Sequence, residues 1–262
     1  MSQNVLVVHG GGPTAVINAS LYGVIEEAKR NPEVGKVYGA IGGTGAIFSE
    51  TFIDLTSFDD EKLKLLLHTP ASAIGSSRYP LYEKDYEKMV DIFKKHDIKY
   101  VLLNGGNGTM DACGHIYEVC KDQDIKVVGI PKTIDNDIAM TDHSPGYGSA
   151  ARFIAASTQE VGEDVKSLPI HVCIMEAMGR NAGWITAASA LARRKQGDAP
   201  HLIYLPERNF NEDEFLEDVS RLQKKQGGVV VLVSEGLHDA NGESIVPPIF
   251  KSERAVYYGD VS

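Results

Sequence analysis

Short apolar runs alternate with longer helical patterns along the chain, and this alternation limits the possible folds more than any other feature. In the first half the apolar runs lie at residues 5–8, 37–41, 100–103 and 126–130, and helical patterns lie at 15–30, 59–67, 84–96 and 110–120. Short, continuously apolar runs are typical of strands covered on both faces. Their alternation with helices predicts a mainly parallel sheet flanked by helices on both sides.

The same alternation begins again beyond residue 140. Strand patterns lie at 170–175, 201–205 and 229–233, and helical patterns lie at 149–163, 182–194 and 212–226. A chain of 262 residues has room for two modest domains. The sequence therefore predicts an α/β protein with two doubly wound αβα sandwich domains and mainly parallel sheets, at residues 1–140 and 141–250.

Charge and cysteine content exclude several classes of function. The formal net charge is −10, which disfavours an extended contact with nucleic acid. The three cysteines are odd in number and form no CxxC pair, which indicates neither a disulfide framework nor a zinc site. No signal-like segment and no apolar run of the roughly 18 residues needed to cross a bilayer is found. We expect a cytoplasmic protein that binds neither nucleic acid nor membrane.

Two glycine loops each follow a predicted strand and precede a predicted helix. The first contains Gly10, Gly11 and Gly12, and the second runs from residue 104 to 109. Backbone N–H groups and a helix N-terminus can bind phosphate in such a loop. The first loop alone is as compatible with a tight turn as with a phosphate site. Because strand ends of a parallel sheet share one edge, the two loops together predict a polyphosphate site.

A third loop, residues 131–137, follows the next strand and carries Lys132, Asp135 and Asp137. Phosphoryl transfer needs a base for the acceptor hydroxyl and a cation on the donor oxygens. The two carboxylates can divide these tasks, and Lys132 offers a compact positive charge to a donor phosphate. The alternative is a solvated acidic turn, which the position beside the glycine loops disfavours.

The second half of the chain offers a loop for a phosphorylated substrate. The segment 178–184 follows a strand and contains Gly179 and Arg180, which can supply backbone donors and a guanidinium. Glu235 follows the last strand and can accept hydrogen bonds from sugar hydroxyls. The alternatives are a structural turn and an ordinary acidic residue at a strand end.

Taken together, these motifs resemble the phosphofructokinase family. The resemblance rests on GGNGT at 105–109, PKTIDND at 131–137, MGRNAG at 178–183 and SEG at 234–236. It implies a glycolytic kinase with Mg²⁺ as cofactor that transfers a phosphoryl group from ATP or pyrophosphate to O1 of fructose 6-phosphate. It also implies an active site between two α/β domains and a homo-oligomer, dimer or tetramer.

The resemblance also implies roles for individual residues. Asp135 is the base, Thr133 contacts the substrate and the transition state, and Arg180 and Arg78 complete the catalytic set. The metal site is formed by Asn107 and Asp137. The sugar phosphate is bound by Thr133, Asp135, Met178, Gly179, Arg180 and Glu235. The donor is bound by Gly11, Gly12, Arg78, Gly106, Asn107, Gly108, Thr109 and Lys132.

The chain departs from the family pattern at several positions that affect the donor. Asn107 replaces an aspartate that binds metal, and a tyrosine that packs on adenine in bacterial ATP enzymes is replaced near Gly43. In the family, an aspartate at the position of Gly108 blocks ATP and marks the enzymes that use pyrophosphate, and this chain lacks it. Lys132, in contrast, is similar to the residue found in the pyrophosphate-dependent enzymes. The sequence favours ATP because that steric block is absent, with pyrophosphate as the alternative.

Two further expectations come from the same resemblance. His171 stands where the family often has an arginine that reaches across a subunit interface. The family also continues beyond the last residues of this chain, so 251–262 is expected to be the start of a truncated C-terminal segment. A non-catalytic module that binds a sugar phosphate or nucleotide is therefore a second hypothesis. A kinase of another class, such as an NAD kinase, is a third.

Overall fold

The chain divides into two compact units, Met1–Thr133 and Ile134–Ser262. A computed structural model describes residues 3–246, 248–251 and 256–258. The division falls before the boundary at 140/141 predicted from the sequence. Apart from residue 251 and residues 256–258, the predicted C-terminal segment 251–262 lies outside the described residues.

The first unit is built on a five-stranded sheet with the order β3-β2-β1-β4-β5. Strands β1, β2, β4 and β5 are parallel, and the edge strand β3 is antiparallel to β2. The strands are β1 (Gln3–His9), β2 (Val34–Ala40), β3 (Phe52–Asp54), β4 (Ile98–Gly105) and β5 (Lys126–Pro131). The helices are α1 (Ala15–Arg30), α2 (Gly45–Phe48), α3 (Asp60–Lys64), α4 (Glu83–Lys95) and α5 (Asn107–Cys120).

Strand β1 shows why this sheet has helices on both sides. Its successive side chains alternate between two apolar clusters, as the period of two along a strand requires. Leu6 and Val8 join the cluster that contains α4 and α5, whereas Val5 and Val7 join the cluster that contains α1. All four are buried, so β1 is covered on both faces as predicted.

The second unit contains a three-stranded parallel sheet with the order β6-β8-β7. The central strand β8 is fully buried, and its residues alternate between a cluster with α6 and a cluster with α8. The strands of this sheet are β6 (Val172–Ala177), β7 (Leu202–Tyr204) and β8 (Val229–Ser234), and the helices are α6 (Tyr147–Ser167), α7 (Trp184–Ala188) and α8 (Glu212–Gln226). An antiparallel pair, β9 (Pro248–Lys251) and β10 (Val256–Tyr258), completes the described elements.

The predicted α/β class with mainly parallel sheets is confirmed, but two details are corrected. The expectation that every strand is covered on both faces is wrong for the edge strands β5 and β6, where Val128 is 50% exposed and Ile174 is 37% exposed. The helix predicted at 182–194 is shorter, because α7 gives way to a 3₁₀ turn at Ser189–Ala192. No helix in the described part of the chain is long and apolar enough to cross a membrane.

Candidate active site

The two glycine loops lie side by side at one edge of the first sheet, as predicted. Strands β1 and β4 are neighbours, with His9 and Asn104 in register, and the Gly10 N–H donates to the Asn104 carbonyl over 3.0 Å. The next strand in sequence, β2, lies on the other side of β1. The order of strands therefore reverses between β1 and β4, and such a switch point is where doubly wound sheets bind ligands.

Thr109 explains why two of the glycines cannot be replaced. Its side chain is 7% exposed and lies between the loops. A Cβ added at Gly10 would lie 2.3 Å from its Oγ1, and one at Gly105 would lie 2.4 Å from it. Both loops are thus packed against the first turn of α5, and the predicted donor contact from Thr109 would come from a buried residue.

The helices that follow the two loops present N-termini suited to an anion. Neither α1 nor α5 has an acidic residue in its first turn. The exposed residues Asn107 and Gly108 open α5, and a Cβ at Gly108 or Gly12 would meet nothing within 4 Å. Backbone N–H groups and the helix dipole at these positions favour negative charge.

A loop near Arg78 pairs with the first glycine loop. The Ser76 hydroxyl donates to the Gly11 carbonyl over 2.7 Å, and the Gly11 N–H donates to the Ser77 carbonyl over 3.2 Å. Arg78 follows directly and is exposed. The sequence singled out the arginine but not the serines, whose hydrogen bonds join its segment to the glycine loop.

Lys132 is buried at the end of the first unit and reaches the same loop. It is 5% exposed, and its Nζ donates to the Gly12 carbonyl. Its backbone N–H also donates to the Gly105 carbonyl over 2.8 Å. One residue therefore contacts both glycine loops, and its charge lies beside them. Thr133, the next residue, is 8% exposed.

His9 ends β1 beneath the first loop and is fully buried. Its Nδ1 lies 2.8 Å from the Ser72 hydroxyl, which donates its hydrogen to the Gly75 carbonyl over 2.7 Å. Because that hydrogen is used, Nδ1 must carry the proton and donate to Ser72. Burial, and next the charge of Lys132, lowers the pKa of His9 to about 4.

Of the predicted sugar-phosphate residues, Gly179, Arg180 and Glu235 come together in the second unit, whereas Thr133 belongs to the first. Glu235 accepts hydrogen bonds from the Gly179 N–H over 3.1 Å and from Arg180 Nη2 over 3.3 Å. The Ser234 hydroxyl donates to the Gly179 carbonyl over 2.9 Å. Met178 is exposed, and the Arg180 side chain is 42% exposed. Glu235 thus holds the loop that carries the guanidinium, a contact that the sequence did not predict.

Glu207 contacts this loop, and the sequence did not single it out. Its carboxylate accepts a hydrogen bond from the Gly183 N–H over 2.7 Å. It follows the end of β7, which lies beside β8 in the same sheet. Its place three residues after a strand was the available signal, because strand ends of a parallel sheet meet at one edge.

His171 is exposed, and its Nδ1 lies 3.1 Å from the Leu168 carbonyl.

The two carboxylates of the third loop belong to the second unit. Asp135 and Asp137 are both half-buried. The described residues contain no group of three or more His, Cys, Asp or Glu side chains that could hold a metal ion. Protein sites for Mg²⁺ often use one or two carboxylates together with phosphate oxygens of the substrate. Asp137 offers an anionic ligand of that kind, and the amide of Asn107 offers a neutral one.

Comparison with known proteins agrees with this architecture of phosphate loops on two α/β units. The chain matches the phosphofructokinase family over residues 4–257. It is 42% identical over 259 residues to the pyrophosphate–fructose 6-phosphate 1-phosphotransferase of Rhodospirillum rubrum, covering 98% of this chain and 64% of that protein. It is 30% identical to the ATP-dependent 6-phosphofructokinase of Amycolatopsis methanolica, covering 90% of this chain and 52% of that protein.

A solved structure has the same fold. The pyrophosphate-dependent phosphofructokinase of Nitrosospira multiformis superimposes with a TM-score of 0.86 at 38% sequence identity. The match covers 93% of this chain and 63% of that one. The chain belongs to the phosphofructokinase family, and it spans less than two thirds of the length of these relatives.

Proposed function

We propose that the chain transfers a phosphoryl group from inorganic diphosphate to O1 of fructose 6-phosphate. The observation that carries this choice of donor is the buried Lys132, whose Nζ bonds to the Gly12 carbonyl. A buried ammonium held on the first glycine loop, in a residue whose backbone N–H bonds to the Gly105 carbonyl, supplies a compact charge where a small polyanion would bind. Diphosphate concentrates its negative charge on two phosphoryl groups, which suits such a charge.

Gly43 supports the same donor. Its φ is +76°, and an added Cβ would lie 2.7 Å from the Ser77 backbone nitrogen and 2.8 Å from the His9 carbonyl oxygen. This backbone leaves no space for a tyrosine that could pack on adenine. The open position at Gly108, which favoured ATP in the sequence, is compatible with either donor. The names of the relatives at 37–42% identity also favour diphosphate over ATP.

The proposed reaction is a direct displacement at phosphorus. The O1 oxygen of fructose 6-phosphate bonds to one phosphorus of diphosphate, and its proton passes to the Asp135 carboxylate. The bond from that phosphorus to the bridging oxygen breaks, and inorganic phosphate leaves. Lys132 and the N–H groups of the glycine loops stabilise the charge on the donor oxygens. Arg180 and Met178 hold the sugar phosphate.

Mg²⁺ would enter as the counter-ion of diphosphate and neutralise charge on its oxygens. Asp137 would bind it as an anionic ligand, and Asn107 would bind it as a neutral one. A neutral ligand in place of a carboxylate weakens metal affinity, so more of the binding would come from the donor itself. A homo-oligomer remains a prediction from the family resemblance.

Replacement of the base tests the proposed reaction. Asp135→Asn keeps the size of the side chain and removes the proton acceptor. We expect kcat to fall about 10²–10⁴-fold, with fructose 6-phosphate binding retained. The assay is coupled detection of fructose 1,6-bisphosphate with diphosphate and with ATP. Asp142→Asn is the matched control, because Asp142 is exposed in the same segment.

Three outcomes separate the hypotheses. An unchanged rate in Asp135→Asn would remove Asp135 from its role as base. Calorimetric binding of fructose 6-phosphate without turnover by the unmodified chain would instead support the non-catalytic binding module. That second function is kept because the chain covers 64% of its Rhodospirillum rubrum relative. Turnover of another phosphate acceptor alone would support a kinase of a different class.

A further inference from the structure

The loop that carries the two carboxylates is fixed by a residue between them. Asn136 is 8% exposed and has a φ of +56°. Its Oδ1 accepts a hydrogen bond from the Ser144 N–H over 2.7 Å, and its Nδ2 donates to the Asp142 carbonyl over 3.3 Å. Both polar atoms of this side chain are therefore used to hold a segment six to eight residues further along the chain.

This second segment is itself tied to the longest helix of the unit. The Tyr147 N–H donates to the Ser144 carbonyl over 3.1 Å, and Tyr147 is the first residue of α6. Helix α6 packs into the apolar cluster of the second unit through Ala151, Ile154 and Val165. Ile134 packs against the same cluster. Asp135 thus lies between two anchored neighbours, one apolar and one polar.

The backbone conformation at Asn136 adds to this arrangement. A left-handed residue turns the chain sharply, so Asp135 and Asp137 need not face the same way as they would in a strand. Asparagine adopts this conformation at lower cost than most residues. One residue therefore supplies both the turn and the two hydrogen bonds that keep the turn in place.

We infer that Asn136 is a positioning residue that fixes the backbone between the proposed base Asp135 and the proposed metal ligand Asp137. The catalytic consequence of this inference rests on the proposed function. The clamp, by which we mean the two hydrogen bonds from the Asn136 side chain to Ser144 and Asp142, rests on the geometry alone. Side chains that act in catalysis need neighbours that hold their geometry closely, and a misplacement of about 1 Å can lower the rate about 10²-fold.

The test compares Asn136→Gly with Asn136→Asp. Glycine accepts the left-handed conformation but makes neither side-chain hydrogen bond. Aspartate keeps an acceptor for the Ser144 N–H but loses the donor to the Asp142 carbonyl. We expect Asn136→Gly to lower kcat at least about tenfold, with a smaller change in KM for fructose 6-phosphate, and Asn136→Asp to keep more activity.

Amide hydrogen exchange at Ser144 gives a readout that does not depend on activity. Loss of its acceptor in Asn136→Gly should speed exchange about tenfold, whereas Asn136→Asp should leave it slow. Met140→Ala is the control, because Met140 is a fully exposed left-handed residue of the same segment. It should change neither quantity.

Unchanged exchange at Ser144 in Asn136→Gly would overturn the clamp. Faster exchange with an unchanged kcat would overturn the positioning role. A wild-type chain without turnover would refute the proposed function rather than the clamp, which the Ser144 exchange then decides by itself. Thermal unfolding of each variant separates loss of the clamp from loss of the fold.

Discussion

His9 makes the first unit sensitive to acid, and the size of the effect follows from its pKa. The value is about 4 in the folded chain and 6.5 for an unperturbed histidine. Below pH 6.5 the unfolded chain therefore binds a proton that the folded chain does not, so stability falls as pH falls from 6.5 to 4. A difference of roughly 2.5 pKa units corresponds to about 3 kcal/mol in total, of which about 2 kcal/mol is lost between pH 7 and pH 5.

His9→Asn isolates this contribution. The asparagine Nδ2 can donate to the Ser72 hydroxyl as Nδ1 of the histidine does, but asparagine does not titrate. Urea unfolding of both proteins at pH 7, 6, 5 and 4.5 gives the free energy of unfolding of each. We expect the wild type to lose about 2 kcal/mol more than His9→Asn between pH 7 and pH 5. Parallel curves for the two proteins would refute the buried, neutral state of His9.

Two further glycine replacements test one loop of each unit. A Cβ at Gly236 would lie 1.7 Å from the Arg180 carbonyl oxygen, so Gly236→Ala should displace the loop at 178–183 and weaken fructose 6-phosphate binding in calorimetry. Gly114→Ala, where a Cβ meets nothing within 4 Å, is its control, and equal binding by both variants would contradict the packing of that loop. A Cβ at Gly108 would meet nothing within 4 Å, so Gly108→Asp should fold and keep its rate with diphosphate. Any rate with ATP should fall, because the aspartate would fill the space left for ATP. An undiminished ATP rate in Gly108→Asp would show that the steric argument at this position is wrong.

Local pattern was enough to predict most of the longer helices and strands. The helices predicted at 15–30 and 212–226 coincide with α1 and α8, because each has a clear amphipathic period and a Gly, Asn or Thr near its ends. The edge strand β3 was not predicted. It has three residues, and a strand that short carries too little period to be recognised. Its place in the sheet is decided by pairing with β2.

The candidate site was predicted only in part from the sequence. Glycine loops after apolar runs must meet at one sheet edge, so the group containing Gly11, Gly106 and Lys132 could be found from the sequence. The contacts that hold these loops could not. Ser76 and Glu207 act through hydrogen bonds to residues far away in the chain, Gly11 and Gly183. The local sequence of Ser76 indicates no such partner, and that of Glu207 indicates only a place near the edge of the sheet.

The choice of donor shows how two local signals can conflict. Gly108 indicated space for ATP, and Lys132 indicated diphosphate. The burial of Lys132 and the lack of space at Gly43 support diphosphate. Both observations describe the space around the first glycine loop, which the sequence alone does not give.

The proposed donor is tested most directly by kcat/KM of the wild-type chain for diphosphate and for ATP, with saturating fructose 6-phosphate and Mg²⁺. Formation of fructose 1,6-bisphosphate is followed in the coupled assay, and phosphate or ADP is quantified as the second product. We expect turnover with diphosphate and a much lower kcat/KM with ATP. A higher kcat/KM with ATP would contradict the role given to Lys132 and the choice of donor that depends on it.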